Sequence, residues 1–412
     1  MRQLHYSFTP QIISALLALV TYRIYTELLV PEELGKAMLI IGVIAFVDAL
    51  ISSSINQTIF YYVCKEKFKY FIFKFIRKNI KYSFFFGFIL IFLIILISNF
   101  YSQIQLIYYS VLFLIFFCYL IIEPFKASMF SMLNAEGSRK VFGLQVFLDA
   151  FFNFTMIVFF LYLSASWYNL LIGILVARYL SLISNFYLID KIYLKQIKSL
   201  TLVNLLSVKD FIAYMLPISS MGILGWITAF ADRFIVAGSI GLADAGVYSL
   251  ATGLTGRPYN VTTSALTVHF RPSLFKSFNN TDKTKFNRSF HLWLFYAIAI
   301  GFLGVILFYF TADFLTNFLI STQYREQTSA LLFLLAIAQT FNIISHSYEN
   351  KFLAIGKTKL LLQVQIVCVL YPIFLIFIGG YFYALIGAVL GKIFADFFKL
   401  ITILIVTKYK KL

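Results

Sequence analysis

Long stretches without a single charged residue dominate this chain and restrict what it can become. Residues 3–22, 82–122, 211–231, 289–312, 327–348 and 360–391 contain no Asp, Glu, Lys or Arg. About 20 consecutive apolar residues suffice for a helix to cross the hydrocarbon of a bilayer. Backbone in lipid must satisfy its own hydrogen bonds, which leaves helices and closed β-barrels. Barrels read as short alternating segments, not as continuous apolar runs. Only 12% of the 412 residues are charged, against about 25% in a soluble domain. The sequence predicts an all-α integral membrane protein.

Setting the apolar runs against turn signals gives twelve expected spans. They fall at 10–30, 37–63, 82–98, 105–124, 141–163, 168–189, 211–237, 246–269, 289–310, 327–348, 360–378 and 381–406. The first run reads as a spanning helix and not as a secretory leader, because no small-residue cleavage site leads into a polar mature chain. The loops assigned to the cytoplasm, together with both ends, hold 26 Lys and Arg, whereas the opposite loops hold only Lys36 and Arg325. This asymmetry predicts cytoplasmic termini. It also accounts for the formal charge of +17, which faces anionic lipid head groups; no nucleic-acid partner is needed. The segment "KEKFKYFIFKFIRKNIKYS" (Lys65–Ser83) interleaves Lys with Phe and Tyr, as an interfacial amphipathic helix does. The outer loops are too short to shape an enzymatic site on that face.

Two elements recur along the chain. "RIYTELLVPEELGKAML" from Arg23 parallels "RFIVAGSIGLADAGVYSL" from Arg233, and "NAEGSRK" (Asn134–Lys140) parallels "LAIGKTK" (Leu353–Lys359). The expected plan is two six-helix lobes of the same orientation, residues 1–200 and 201–412, related by an axis along the membrane normal.

The chain resembles the polysaccharide flippases, or O-antigen translocases, of the multidrug/oligosaccharidyl-lipid/polysaccharide exporter superfamily. The resemblance rests on "RIYTELLVPEELGKAMLI", "LNAEGSRK" and "ADRFIVAGSIGLADAGVYSLA" (Ala231–Ala251). It implies a MATE-like fold, a central cavity and a place in the bacterial cytoplasmic (inner) membrane. It further implies movement of an undecaprenyl-pyrophosphate-linked oligosaccharide, such as a lipopolysaccharide O-antigen unit, from the cytoplasmic to the periplasmic leaflet. Membrane lipids, a polysaccharide polymerase and a chain-length regulator are the partners it suggests.

Charges deep in the spans are the candidate site residues, because each costs about 2.5–3.5 kcal/mol to place at mid-bilayer. Arg178 has no charged residue between Ala165 and Ile189 other than itself. Arg257 follows a stretch from Gly246 too short to cross the membrane. Either could face the lumen and contact an anion, or join an interhelical pair. Pro258 is expected to kink the helix beside Arg257. Lys392 with Asp396, and Arg23 with Glu27, stand four residues apart and can neutralise locally. Arg233 and Asp232 are adjacent and point about 100° apart, so they suit each other poorly. Asp48 is read as an interhelical partner or an ion-coupling carboxylate, and Asp149 stands with Asp232 and Asp396 as a charge partner. Lys399 is expected to snorkel to the head groups.

No Gly-x-x-x-x-Gly-Lys-Ser/Thr loop is present to bind ATP, and His5, His269, His291 and His346 lack metal-ligand spacing. Cys64, Cys118 and Cys368 are far apart and suggest neither a disulfide nor a metal. No cofactor and no enzymatic activity are expected. The leading function is a flippase, with arginine forks gripping phosphate oxygens. A drug or cation antiporter of the same superfamily is the first alternative; a membrane polysaccharide polymerase or ligase is the second.

Overall fold

A computed structural model describes residues 2–64, 105–135, 139–197, 208–279 and 282–409, with a few single positions between 65 and 104. The expected span at 82–98 and the Lys65–Ser83 segment lie outside the described residues, apart from those single positions. So do Glu136–Ser138 and the side chains of His5 and Cys64.

The elements of the described residues are all helical: α1 (Arg2–Leu28), α2 (Pro31–Val47), a π-helical turn (Asp48–Ser52), α3 (Ser53–Cys64), α4 (Gln105–Ala135), α5 (Arg139–Leu163), α6 (Trp167–Ile197), α7 (Val208–Ser239), α8 (Leu242–Asn279), α9 (Lys283–Leu319), α10 (Thr322–Ala354) and α11 (Thr358–Tyr409). From α2 through the π turn to α3 the helix is unbroken, so the described residues form ten helical elements, of which α11 is broken within its length. Among the described residues, eight helices are long and apolar enough to cross a bilayer. This corrects the expected twelve spans in two six-helix lobes. The runs 360–378 and 381–406 form the two arms of α11, which is broken at Tyr383 and Ala384. Helix α8 is not among the eight, since it spreads Asp244, Arg257, Arg271 and Lys276 along its length. Nor is α1, whose first turns are polar. Helix α8 runs on through Pro258.

Two compact units partition the chain. Residues 1–29 and 40–226 form one; residues 30–39 and 227–412 form the other. In the first unit α1 packs on α5, α5 and α4 on α6, and α3 on α4. Its core joins Ile44 of α2, Ile115, Cys118, Ile122 and Met132 of α4, and Leu171, Leu175 and Leu182 of α6. Helix α7 begins in this unit, where Trp226 Nε1 donates to Gly42 O at 2.7 Å and Ser219 meets Ser54. In the second unit α10 packs against α8, α9 and α11.

Within α11 the chain reverses at Tyr383 and Ala384, where the dihedrals leave the helical range. Two arms then lie back to back. A Cβ on Gly387 would sit 2.0 Å from Gly379 O, and one on Gly391 would sit 2.3 Å from Leu375 O. Lipid gives apolar helices no hydrophobic reason to associate, so small residues that admit backbone contact are how membrane helices hold together. Ala384 makes the turn at φ 49°, ψ −140°, a conformation that favours glycine. Ala384→Gly is therefore expected to raise stability by about 1 kcal/mol, read as a higher melting temperature in detergent. An unchanged or lower melting temperature would show that the turn is unstrained.

Outside the membrane, Asp282 caps α9. Its carboxylate accepts from the Lys285 backbone N–H at 3.0 Å and the Thr284 hydroxyl at 2.7 Å. Those bonds, the backbone one foremost, draw its pKa down to about 2.

Candidate functional site

Of the charges predicted from sequence, Arg178, Asp48 and Asp149 fall into a cluster in the first unit and Asp232, Lys392 and Asp396 into one in the second, whereas Arg23, Arg233 and Arg257 stand apart. In the first unit Arg178 on α6 reaches Glu123 of α4, with Nη1 3.3 Å from Oε1. Lys126, one turn beyond Glu123, lies 3.5 Å from the same Oε1 and 3.0 Å from Asp149 Oδ1 on α5. Ser181 donates to Asp149 Oδ1 at 2.7 Å and receives Gln145 Nε2 at 3.1 Å. Asp48, at the start of the π turn, lies within the field of Glu123, Arg178 and Lys126. Three carboxylates (Asp48, Glu123, Asp149) and two cations (Lys126, Arg178) thus share this region.

Glu123 and Lys126 went unnoticed in the sequence. Pro124 reads as the end of a helix, which placed Lys126 in a basic cytoplasmic loop. Instead α4 continues through Pro124 to Ala135, and both side chains are only 7% exposed. The signal available was "EPFK", an acid and a base three residues apart on one helix face. Satisfaction of the cluster is incomplete. Glu123 Oε2, Arg178 Nε and both amide atoms of Asn185 are buried with no hydrogen-bond partner among the described residues.

The second unit gathers Asp232, Lys392, Asp396, Lys399 and Glu349. Lys392 Nζ stands 3.6 Å from Asp396 Oδ2, and Lys399 Nζ is 3.0 Å from Glu349 Oε1 and 3.3 Å from Asn342 Oδ1. Lys399 does not snorkel as expected; its side chain is 14% exposed. Glu349 on α10 explains this, since a facing carboxylate inside the protein removes the reason to reach for the head groups. A polar cavity of about 110 Å³ opens here, lined by Thr228, Asn342, Cys368, Lys392, Asp396 and Lys399. His346 joins the same region, bonded to Thr267 and Asn350. Among the described residues no three His, Cys, Asp or Glu gather as metal ligands would.

Asp232 and Arg233 turn away from each other. Asp232 Oδ2 accepts the hydroxyl of Tyr248 at 3.0 Å, fastening α7 to α8, while the Arg233 guanidinium lies over the Phe230 ring at 4.5 Å. Tyr248→Phe should leave a buried carboxylate oxygen without its donor and cost about 1–3 kcal/mol. A melting curve in detergent reads the loss; a curve overlying the wild type would disprove the tie. Arg23 pairs with Glu27 one turn on, and both remain partly exposed. Arg257 is half-buried on α8; it does not line the apolar cavity of about 300 Å³ to which the next residue, Pro258, contributes with Tyr259, Thr262, Leu303, Gly304 and Phe308.

Helices of this arrangement recur in solved structures. An inward-facing multidrug resistance MATE family transporter of the MOP superfamily matches with a TM-score of 0.71 at 14% identity, over 97% of this chain and 95% of that one. The inward closed lipid II flippase MurJ matches with a TM-score of 0.61 at 17% identity, over 96% and 87%. The fold is that of the MOP superfamily transporters. A family model for polysaccharide biosynthesis proteins matches residues 24–329, and the chain belongs to that family. The capsular polysaccharide biosynthesis protein CapF of Staphylococcus aureus is 22% identical over 97% of each chain. With its apolar helices, the protein is a multi-pass protein of the bacterial cytoplasmic membrane.

Proposed function

We propose that the protein is a transporter, not an enzyme, and that it moves a lipid-linked oligosaccharide from the cytoplasmic to the periplasmic leaflet. Membership of the polysaccharide biosynthesis family supports the substrate class. The observation that carries the reading is the polar cavity holding Lys392 and Lys399 within the membrane. At about 110 Å³ it lies below the roughly 300–1,000 Å³ of sites for drug-sized ligands. It suits one anionic group and not a sugar chain. The Lys392–Asp396 separation of 3.6 Å exceeds the 2.7–2.9 Å or so of a tight charge-assisted bond. Lys392 therefore keeps donors for phosphate oxygens.

In this reading Lys392, Arg257, Arg233 and Arg23 are the candidate contacts of the pyrophosphate, and Arg178 holds Glu123. The halves 1–200 and 201–412 alternate access, and exported units pass to a polymerase and its chain-length regulator. The test is a deletion strain. Complete single repeat units should accumulate on the cytoplasmic leaflet, and Lys392→Ala with Arg257→Ala should fail to restore surface polysaccharide although protein reaches the membrane. Exported but unjoined units would point to a polymerase instead.

The three carboxylates of the first unit favour a second reading, exchange of a cationic compound against protons or sodium. Proteoliposomes that take up a cationic dye under an imposed proton or sodium gradient, and leave a lipid-linked oligosaccharide in place, would establish it over the first.

A further inference from the structure

Lipid offers a polar side chain no partner, so polar groups exposed along a membrane helix face water or a ligand. Helix α8 carries such groups in register. Arg257, Asn260, Ser264, Thr267 and Arg271 follow one another at intervals of three or four residues, which sets them on one face. Asn260, Ser264 and Arg271 are exposed, while Tyr259, Leu266 and Phe270 are buried on the other side. Helix α10, packed on α8, repeats the spacing with Gln339, Asn342, His346 and Glu349. The second arm of α11 does so with Lys392, Asp396 and Lys399.

The three stripes join into one polar face of the second unit. Thr267 Oγ1 meets His346 Nε2 at 3.2 Å, and Lys399 of α11 bonds Asn342 and Glu349 of α10. At 1.5 Å per residue the α8 stripe runs about 21 Å, most of the roughly 30 Å of hydrocarbon. Two amides converge on it. A Cβ on Gly256 would stand 3.8 Å from Asn260 Nδ2 and 3.7 Å from Gln339 Nε2. The hydroxyls of Thr262, Thr263 and Thr267 are spent on carbonyls of their own helix. Among the described residues neither the Asn260 nor the Gln339 amide has a hydrogen-bond partner. Each such amide offers two donors and an acceptor, the groups that bond neighbouring hydroxyls of a sugar.

We propose that this face binds the sugar chain of the substrate, and that Asn260 and Gln339 read its hydroxyls. The proposal rests on the lipid-linked oligosaccharide reading. The cavity holding Lys392 and Lys399, at about 110 Å³, has room for an anionic group only, so the saccharide needs a surface of its own. Asn342 makes that surface continuous with the cavity, since it lines the cavity and is exposed on the polar face. The two amides are neutral. They select for the placement of hydroxyls and not for charge, and so help to set which sugars the protein accepts.

Binding to the purified protein in lipid nanodiscs tests this with two probes: undecaprenyl pyrophosphate without sugar, and the lipid-linked repeat unit extracted from the deletion strain. Wild-type protein should hold the sugar-bearing lipid more tightly. Asn260→Leu and Gln339→Met, close in size to the native residues, should each weaken it, and together by roughly 10- to 30-fold, as two lost hydrogen bonds imply. Their affinity for the sugar-free lipid should stay at the wild-type value, which also shows that the variants are folded. Lys392→Ala should weaken both lipids alike. Asn260 and Gln339 variants that lose both probes equally, or neither, overturn the proposal and leave the flippase reading standing. No accumulated unit in the deletion strain, or wild-type protein that binds neither probe, removes that reading and the sugar site with it.

Discussion

Replacing Lys126 with Met should destabilise the protein more than any other single truncation of a charged side chain described here. Its ammonium stands 3.0 Å from Asp149 and 3.5 Å from Glu123, all inside the first unit. Breaking a buried pair by removing one partner costs about 3–5 kcal/mol, since the remaining charge stays out of water. Here two carboxylates lose one counter-ion. The expected result is a melting temperature lower by several degrees in detergent, or failure to recover monodisperse protein. Adding Asp149→Asn should return much of the loss, and the double-mutant cycle reads the coupling. A single Lys126→Met variant that melts like the wild type would mean that the ammonium is not the counter-ion.

Gly387→Leu should have an effect of similar size through geometry alone. A Cβ there already overlaps Gly379 O at 2.0 Å, so a side chain must pry apart the two arms of α11. Overpacking typically costs about 1–3 kcal/mol and more when backbone has to move. The second arm also carries Lys392, Asp396 and Lys399, so the polar cavity should be disturbed with it. Loss of surface polysaccharide together with a depressed melting temperature is expected. Gly225→Leu is the matched control, with open space at its Cβ. Equal behaviour of the two variants would refute close packing of the arms.

The local parts of this architecture were legible from the chain. Apolar runs marked most of the spanning helices, and pairs four residues apart, Arg23–Glu27 and Lys392–Asp396, are bridged as helical spacing dictates. Contacts between distant segments were not legible. Glu123 is 55 residues from Arg178, and nothing in either neighbourhood announces the other. Lys126 was hidden by Pro124, because a proline followed by a base resembles the end of a membrane helix. The count of spans went astray at α1 and α8, which are too polar to stand among the eight apolar helices of the described residues, whereas the reversal through Tyr383 and Ala384 falls close to the break expected between 378 and 381. Asp232 was correctly judged a poor partner for Arg233, but its tie to Tyr248 depended on how α7 and α8 face.

The π turn at Asp48–Ser52 amounts to one residue inserted into an otherwise regular helix. Upstream, Gly42 and Phe46 meet Trp226; downstream, Ser54 meets Ser219 and Asn56 accepts from Ser131. An extra residue advances everything after it by about 100° around the axis. The turn thus acts as a rotational shim, setting the angle at which the lower part of the rod addresses its neighbours. Deleting one residue between 48 and 52 would keep the helix whole and swing Ser54 and Asn56 away from both.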